Sequence, residues 1–214
     1  GLPFQTEETI IDTIHKTERL LPDRIAFYSY AHVPWQKGNG QRGFLESDLP
    51  TATLKRNQYE TGKKLLSEAG YIEFGMDHFA LPHDNLCQAM QNNRLHRNFM
   101  GYTASKTQLL IGLGASAISD SRYGFAQNVK GIESYQNFVH ENIIPSYRGH
   151  LLNKEDKIIR KHILNLMCHF TTSWAEETSI FCALQDVLKE LKEFEKDALL
   201  EISENSLLIT KKGR

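Results

Sequence analysis

Cysteine is scarce in this sequence, which contains only Cys87, Cys168 and Cys182 among its 214 residues. Their number is odd and their spacing contains no CxxC pair, which argues against a disulfide framework and against a cysteine-built metal site. We therefore expect each thiol to be a reduced, buried small hydrophobe. The same usage predicts a cytoplasmic protein, since disulfides are rare in that compartment.

The sequence also lacks a charge excess and a long hydrophobic run. Its 25 Lys and Arg nearly balance its 26 Asp and Glu, so no overall field favours nucleic acid or an anionic membrane as a partner. The longest apolar stretch, residues 109–118, is much shorter than the about 20 residues that span a bilayer. We expect neither a nucleic-acid partner nor a membrane partner. The 40% hydrophobic content is enough to form a core in a chain of this length.

Two helix-then-strand units open the chain. Residues 7–21 and 54–69 carry apolar side chains at helical spacing, and residues 24–30 and 71–76 have the composition of short buried strands. Thr6 is expected to cap the first helix. Repeated helix and strand, with polar residues just beyond each strand, is typical of a parallel α/β sheet or barrel. Ligands bind such folds beyond the carboxyl ends of the strands.

The rest of the chain is predicted to become mostly helical. A buried strand is expected over 109–119 and a loop over 123–128. The predicted helices cover residues 84–94, 132–141, 154–170 and 179–196, and a terminal hairpin covers residues 199–202 and 207–210. The fold class is therefore α/β, with a partial barrel over residues 1–148 and a mostly helical domain over residues 149–214. The helices and hairpin of that second domain resemble a winged helix.

Polar side chains gather at the predicted strand ends. His32, Asp77, His78 and His83 are candidate metal ligands or acid-base groups. Their spacing contains no HxH or HExxH motif. Structural, hydrogen-bonded imidazoles, and an Asp77 that caps the following loop, are the alternative interpretations. A metal-dependent hydrolase built on these residues would be revealed by elemental analysis.

Two further groups of side chains are suited to a large, flat, anionic ligand. Cations in predicted loops can bind carboxylates, and they are Arg42, Arg97, Lys106 and Arg122. Aromatic rings can contact a flat ring system, and they are Phe99, Tyr102, Tyr123 and Phe125. Solvated surface charge and ordinary core packing are the alternatives for the two groups.

Five blocks of sequence occur in a distinctive order. They are YAHVPW at 30–35, KGNGQR at 37–42, GYIEFGMDHFALPHD at 70–84, LHRNFMGYT at 95–103 and LIGLGASAIS at 110–119. In this order they resemble the oxygen-independent coproporphyrinogen III oxidases, which are radical S-adenosylmethionine enzymes of haem synthesis. The resemblance covers essentially the whole chain, and GMDHFA with RNFxGYT is not a general barrel pattern.

The resemblance implies an oxidative decarboxylation. Two propionates of coproporphyrinogen III would become vinyl groups, giving protoporphyrinogen IX. In that family a 4Fe-4S cluster reduces S-adenosylmethionine, and the resulting radical abstracts a propionate hydrogen. The residues that the resemblance places against S-adenosylmethionine are Ala31, Phe99, Met100 and Ile118. For the substrate carboxylates the candidates are Arg42, Arg97 and Arg122, and for catalysis they are Asp77 and His78, while the electron donor and acceptor are left unassigned.

The chain departs from the family pattern in two respects. The family's cluster ligands form a CxxxCxxC loop, and none of the three cysteines here has that spacing. We therefore expect no metal in this chain and expect the family's cluster ligands to lie before Gly1. The chain is then expected to be an inactive fragment that comprises the second half of the barrel and the C-terminal domain. In addition, Met100 stands where the family commonly has Gln. If the Gln side-chain amide makes a hydrogen bond to S-adenosylmethionine, its loss would weaken binding by about 0.5 to 1.5 kcal/mol.

Two other functions are open at this point. A haem-trafficking relative would bind a tetrapyrrole without decarboxylating it, and it would shift the Soret band of haemin. An interaction module over residues 150–214 would bind another protein through its charged helices.

Overall fold

The computed structural model describes residues 1–38, 40–175 and 184–214. It divides into two compact units, Gly1–Gln88 and Ala89–Arg214. The predicted domain boundary near residue 148 stays a prediction. Cys182 and the first residues of the helix predicted over 179–196 lie outside the described residues.

The first unit begins with two long helices that alternate with short strands. Its elements are α1 (Glu7–Leu20), β1 (Arg24–Ala26), a 3₁₀ turn (Glu46–Asp48), α2 (Ala52–Glu68), β2 (Ile72–Gly75), β3 (His78–Ala80) and the start of α3 (Asn85–Gln91). The predicted helices over 7–21, 54–69 and 84–94 are confirmed, and so is the strand over 71–76. The strand predicted over 24–30 is shorter, because only its first three residues pair with a neighbour.

The three strands of the first unit form one sheet in the order β1-β3-β2. β3 is antiparallel to both of its neighbours, so the predicted parallel pairing is wrong for these strands. The reason is local. Asp77 adopts a left-handed conformation with φ of 56° between β2 and β3, and the chain reverses there and inserts β3 between the two predicted strands.

The core of the first unit lies between the helices and this sheet. Ile14, Leu66, Tyr71 and Phe79 are its buried members. α1 begins as predicted at Thr6, whose hydroxyl accepts a hydrogen bond from the Thr9 amide at 3.3 Å. Such caps satisfy an amide that would otherwise lack a partner at the helix start.

The second unit combines a hairpin, a larger sheet and a helical segment. Its elements are β4 (His96–Asn98), β5 (Gly101–Thr103), β6 (Leu109–Leu110), β7 (Ile118–Ser121), β8 (Gly124–Asn128), α4 (Ile132–His140), β9 (Ser146–Leu151), α5 (Lys154–His169), β10 (Thr171–Ser173), α6 (Leu184–Lys196), β11 (Leu200–Ile202) and β12 (Ser206–Ile209). The predicted helices over 132–141 and 154–170 are confirmed, as are the described part of the helix over 179–196 and the terminal hairpin.

Strands β6, β7, β8 and β9 form an antiparallel sheet in sequence order. Two predictions fail here. Residues 123–128, predicted as a loop, contain β8, and the buried strand predicted over 109–119 is only two residues long at β6 before the chain leaves the sheet. Leu113 in that stretch is 83% exposed, and the chain bends and turns over residues 114–116 before it enters β7.

The last part of the second unit packs two helices on a small sheet. Its strands follow the antiparallel order β10-β12-β11. Trp174, Leu200 and Leu207 are buried there, with side chains of α5 and α6 around them. The prediction of mixed helix and strand content is thus confirmed for the chain. None of the described helices is both long and apolar enough to cross a membrane.

Candidate functional site

A cavity of about 530 Å³ opens in the first unit between α2 and residues 27–31, which follow β1. Aromatic and polar groups share its wall, and they include Tyr28, Tyr30, Ala31, Gln41, Lys55 and Tyr59. This volume and this mixture of apolar rings with a few polar atoms are typical of small-molecule sites.

Ala31, one of the predicted cofactor contacts, lies in this wall and is exposed. Its position is fixed by Gln41. The Gln41 amide nitrogen donates to the Ala31 carbonyl at 3.0 Å, and its amide oxygen accepts from the Val33 amide at 2.6 Å. The Lys55 ammonium donates to the Tyr30 carbonyl at 2.6 Å. Gln41 was not predicted to have this role, because a glutamine in a glycine-rich loop gives no sequence signal.

His78 is held by two hydrogen bonds at the start of β3. Its Nδ1 lies 2.6 Å from the Met76 carbonyl, and its Nε2 lies 2.9 Å from the Tyr28 hydroxyl. Because a carbonyl can only accept, Nδ1 carries the proton, and Nε2 accepts from Tyr28. The lone pair that a metal would need is therefore engaged, which favours the structural interpretation of this imidazole.

Asp77 is likewise built into the framework. Its carbonyl accepts a hydrogen bond from the Phe27 amide at 2.8 Å. Burial raises the pKa of Tyr59 far above its ordinary value, and a hydrogen bond to Asp77 and the charge of Asp77 raise it further. Tyr59 therefore stays protonated and donates to this carboxylate, which ties Asp77 to a tyrosine that lines the cavity.

The other two histidines of the strand-end hypothesis point elsewhere. His83 contacts Asp23 through Nε2 at 2.9 Å, and the His32 ring packs against Phe44 with centroids 5.4 Å apart. Within residues 1–38, 40–175 and 184–214, no three His, Cys, Asp or Glu side chains are grouped so that they could hold a metal ion. The structure does not bring the four predicted ligands together.

In the second unit, Phe99 and Met100 occupy the two-residue turn between β4 and β5, and Asn98 pairs with Gly101. The Asn98 side chain accepts a hydrogen bond from the Met100 amide at 2.9 Å. Gly101 has a φ of 121°, which glycine adopts readily and other residues do not. The turn leaves Phe99 55% and Met100 83% exposed, so both predicted cofactor contacts are accessible.

The base of this hairpin is anchored to α5. The Tyr102 hydroxyl donates to the Met167 carbonyl at 2.9 Å, and the Arg97 guanidinium lies 4.6 Å from the Tyr102 ring centroid. Arg97 is partly buried in this stack, whereas Arg122 is exposed in the turn between β7 and β8. Arg42, the third predicted carboxylate ligand, is exposed in a loop of the first unit.

Ile118 begins β7 and is partly buried. Its backbone passes close to Gly112. The Gly112 amide donates to the Ser119 hydroxyl at 3.0 Å, and the Asn128 amide donates to the Gly112 and Gly114 carbonyls, both at 3.0 Å. These bonds hold residues 112–114 against β7 and β8.

The described cysteines do not fit an iron-sulfur cluster. Cys87 and Cys168 are buried free thiols. Burial raises the pKa of Cys168 to about 11 and raises that of Cys87 as well. Since cluster ligands must be thiolates, no step of a reaction is assigned to these two residues.

The residues predicted to contact S-adenosylmethionine are each at least partly exposed. Phe99 offers an exposed aromatic surface to a flat base. Ile118 offers an apolar contact in the same unit, and Ala31 lies in the wall of the first unit's cavity.

No family model matches the sequence, but curated proteins do. The chain is 38% identical over 223 residues to the oxygen-independent coproporphyrinogen III oxidase of Synechocystis sp., covering all of this chain and 48% of that protein. The corresponding protein of Escherichia coli K12 is 36% identical over 219 residues, with the same coverage.

A solved structure gives the same result. The coproporphyrinogen III oxidase from Escherichia coli, described as a radical SAM enzyme, matches all of this chain and 50% of its own, with a TM-score of 0.89 and 36% identity. The chain spans about half the length of the curated relatives it matches. It is therefore homologous along its entire length to about half of an oxygen-independent coproporphyrinogen III oxidase, as its motifs indicate.

Proposed function

We propose that the protein to which this chain belongs is an oxidoreductase that oxidatively decarboxylates coproporphyrinogen III. Two propionate side chains would become vinyl groups, and the product would be protoporphyrinogen IX in haem biosynthesis. The observation that carries this proposal is similarity over the whole of this chain. The chain is 38% identical to the oxygen-independent coproporphyrinogen III oxidase of Synechocystis sp., and its TM-score to the solved Escherichia coli oxidase is 0.89.

The cofactors of the proposed activity are S-adenosylmethionine and a 4Fe-4S cluster. S-adenosylmethionine supplies a hydrogen-abstracting radical when it is bound and reduced. Phe99 and Met100 at the hairpin turn, Ile118 on β7 and Ala31 beside the cavity are the residues we assign to its binding. We assign no residue of this chain to the cluster, because the described thiols are buried and protonated.

Substrate binding requires cations beside apolar surface. The Arg97 guanidinium lies 4.6 Å from the Tyr102 ring centroid, and a guanidinium stacked on a ring can still donate N–H groups to a propionate carboxylate. Arg42 and Arg122 are exposed and free of such a stack among the described contacts. We give Asp77 and His78 the role of supporting the cavity wall, since Tyr59 is hydrogen-bonded to Asp77 and Tyr28 to His78, and both tyrosines line the cavity.

Two finer features belong to the same proposal. We infer that the chain forms the second half of a radical-enzyme barrel followed by a winged-helix domain. The order α5, β10, α6, β11 and β12, with the hairpin paired to β10, supports the winged helix. A cytoplasmic location is supported by the two buried, unpaired thiols.

The test uses the full-length gene product, reconstituted anaerobically with iron and sulfide. With coproporphyrinogen III, S-adenosylmethionine and a reductant, it is expected to release carbon dioxide and form protoporphyrinogen, detected by fluorescence after oxidation. Phe99→Ala is expected to lower the rate, whereas Phe194→Ala is the matched control, because Phe194 is 49% exposed on α6. A Soret shift with haemin and no product would replace the oxidase by a tetrapyrrole-binding function.

A further inference from the structure

We propose that Arg160 of α5 is a positioning residue for Phe99. It acts through Phe125, which lies between the Arg160 guanidinium and the Phe99 ring. The inference rests on the proposed function, because it concerns the residue that we assign to S-adenosylmethionine. It extends that function to a helix that the sequence places in the separate helical domain.

Arg160 is fixed by an ion pair with Asp120 on β7. Its Nη2 lies 2.8 Å from Oδ1 and 3.0 Å from Oδ2 of Asp120, and its Nη1 donates to the Ser121 carbonyl at 3.0 Å. The side chains of Asp120 and Arg160 are only 7% and 25% exposed. A carboxylate buried to this degree destabilises the folded chain if its cationic partner is lost. The Arg160 guanidinium therefore has little freedom to leave this position.

The fixed guanidinium covers the ring of Phe125. Its central carbon lies 5.1 Å from the ring centroid, within the range of a cation–π interaction. Phe125 on β8 is also the cross-strand partner of Asp120. The backbone pairing and the ion pair therefore hold Asp120, Arg160 and Phe125 together as one rigid group.

Phe99 packs on this group from the hairpin turn. The rings of Phe99 and Phe125 have centroids 5.0 Å apart and planes at 88°, an edge-to-face arrangement. Such contacts are geometrically selective. More than half of Phe99 is exposed, and among the described residues Phe125 provides the ring contact that orients it.

The hairpin thus has two separate attachments to α5. Tyr102 attaches its base through the Met167 carbonyl, and the Phe125–Arg160 stack attaches its tip. Loss of the first would loosen the whole hairpin. Loss of the second would leave the hairpin paired and change only the orientation of the ring that meets the cofactor.

The variant that separates these effects is Arg160→Lys. Lysine keeps the charge that Asp120 requires, so the fold is retained, but it lacks the planar group that covers Phe125. Arg148→Lys is the matched control. Arg148 also lies over a ring, that of Tyr147 at 5.5 Å, and donates Nε to the Gln127 side chain at 2.8 Å, but it does not contact Phe125 among the described pairs.

The first measurement is ¹⁹F NMR of the full-length gene product labelled with fluorophenylalanine. The Phe99 resonance is assigned by its loss in Phe99→Leu. Arg160→Lys is expected to shift or broaden this resonance, and Arg148→Lys is expected to leave it unchanged. An unaltered Phe99 resonance in Arg160→Lys would overturn the inference.

The second measurement is equilibrium dialysis with labelled S-adenosylmethionine, which needs no turnover. Arg160→Lys is expected to weaken binding about tenfold, a change equal to one oriented aromatic contact, while coproporphyrin III binds as in the unaltered protein. Phe125→Leu keeps the ion pair and must reproduce the loss. Binding as tight as in the unaltered protein, for either variant, would refute the positioning role.

The outcome also separates this inference from the proposed function. If the unaltered protein binds S-adenosylmethionine and Arg160→Lys binds it more weakly, but no carbon dioxide is formed, the oxidase proposal fails and the positioning role stands. If the unaltered protein does not bind S-adenosylmethionine at all, both are refuted.

Discussion

The backbone of Ile118 passes so close to Gly112 that a β-carbon on Gly112 would lie 2.8 Å from the Ile118 carbonyl carbon and oxygen. Real β-carbons do not approach other atoms this closely. The absence of a side chain at position 112 therefore sets the position of a residue assigned to the cofactor, and it does so through backbone contact alone.

Gly112→Ala is expected to destabilise the chain, because the atoms it would meet belong to the backbone and cannot rotate away. Overpacking of this kind costs about 1 to 3 kcal/mol. Urea unfolding followed by circular dichroism would measure it. Gly40→Ala is the control, since no atom of the described residues, apart from its chain neighbours, lies within 4 Å of its β-carbon position. Equal stability of the two variants would contradict the close approach.

Gly62→Ala tests the packing of α2 in the first unit. Alanine in a helix interior is normally favourable by about 1 kcal/mol relative to glycine. Here its β-carbon would overlap the ring of Phe27, so we expect a net loss in the free energy of unfolding. In a Phe27→Leu background the same change should be neutral or stabilising. A Gly62→Ala variant that is more stable with Phe27 present would show that the ring moves aside.

The helices could be predicted because their signals are local. Thr6 and Pro22 bracket α1, and the apolar spacing between them fixes the buried face. Sheet order is not local. Nothing in the sequence near Asp77 shows that β3 turns back between β1 and β2, because one left-handed residue decides it.

The site shows the same division. Ala31, Phe99, Met100 and Ile118 came from family resemblance. The structure leaves Phe99 and Met100 exposed, places Ala31 in the cavity wall and partly buries Ile118. Arg160 could not be found from the sequence, because a cation on an amphipathic helix is ordinarily a solvated one. Its partner Asp120 is 40 positions away, and only the fold brings the two together.

The pH dependence of stability is expected to include a contribution from His96 on β4. Burial lowers the pKa of His96, Lys106 and Arg160 lower it further, and Asp120 opposes them. In the unfolded chain His96 binds a proton near pH 6.5, whereas in the folded chain it binds one only at a lower pH. The free energy of unfolding should therefore be highest above about pH 6.5, fall as the pH decreases below that value, and stop falling below the lowered pKa of His96 in the folded state.

His96→Gln should remove this part of the decline below pH 6.5, because glutamine does not titrate. His140→Gln, at the exposed end of α4, is the matched control for replacing a histidine by glutamine. The measurement is urea unfolding at a series of pH values. A slope that is the same in His96→Gln and in the unaltered chain would show that His96 is not protonated on unfolding.

Thiol reactivity tests the conclusion that the described cysteines are structural. Thiol reagents attack the thiolate, so a pKa of about 11 for Cys168 leaves about one thiolate in a thousand at pH 8. In a Cys182→Ser variant, which removes the thiol outside the described residues, Cys87 and Cys168 should react slowly with Ellman's reagent until urea unfolds the chain. Both should then react fully and at the rate of a free thiol. A thiol that reacts at that rate in the folded chain would mean that at least one of them is accessible and ionised, and a ligand role for it would have to be reconsidered.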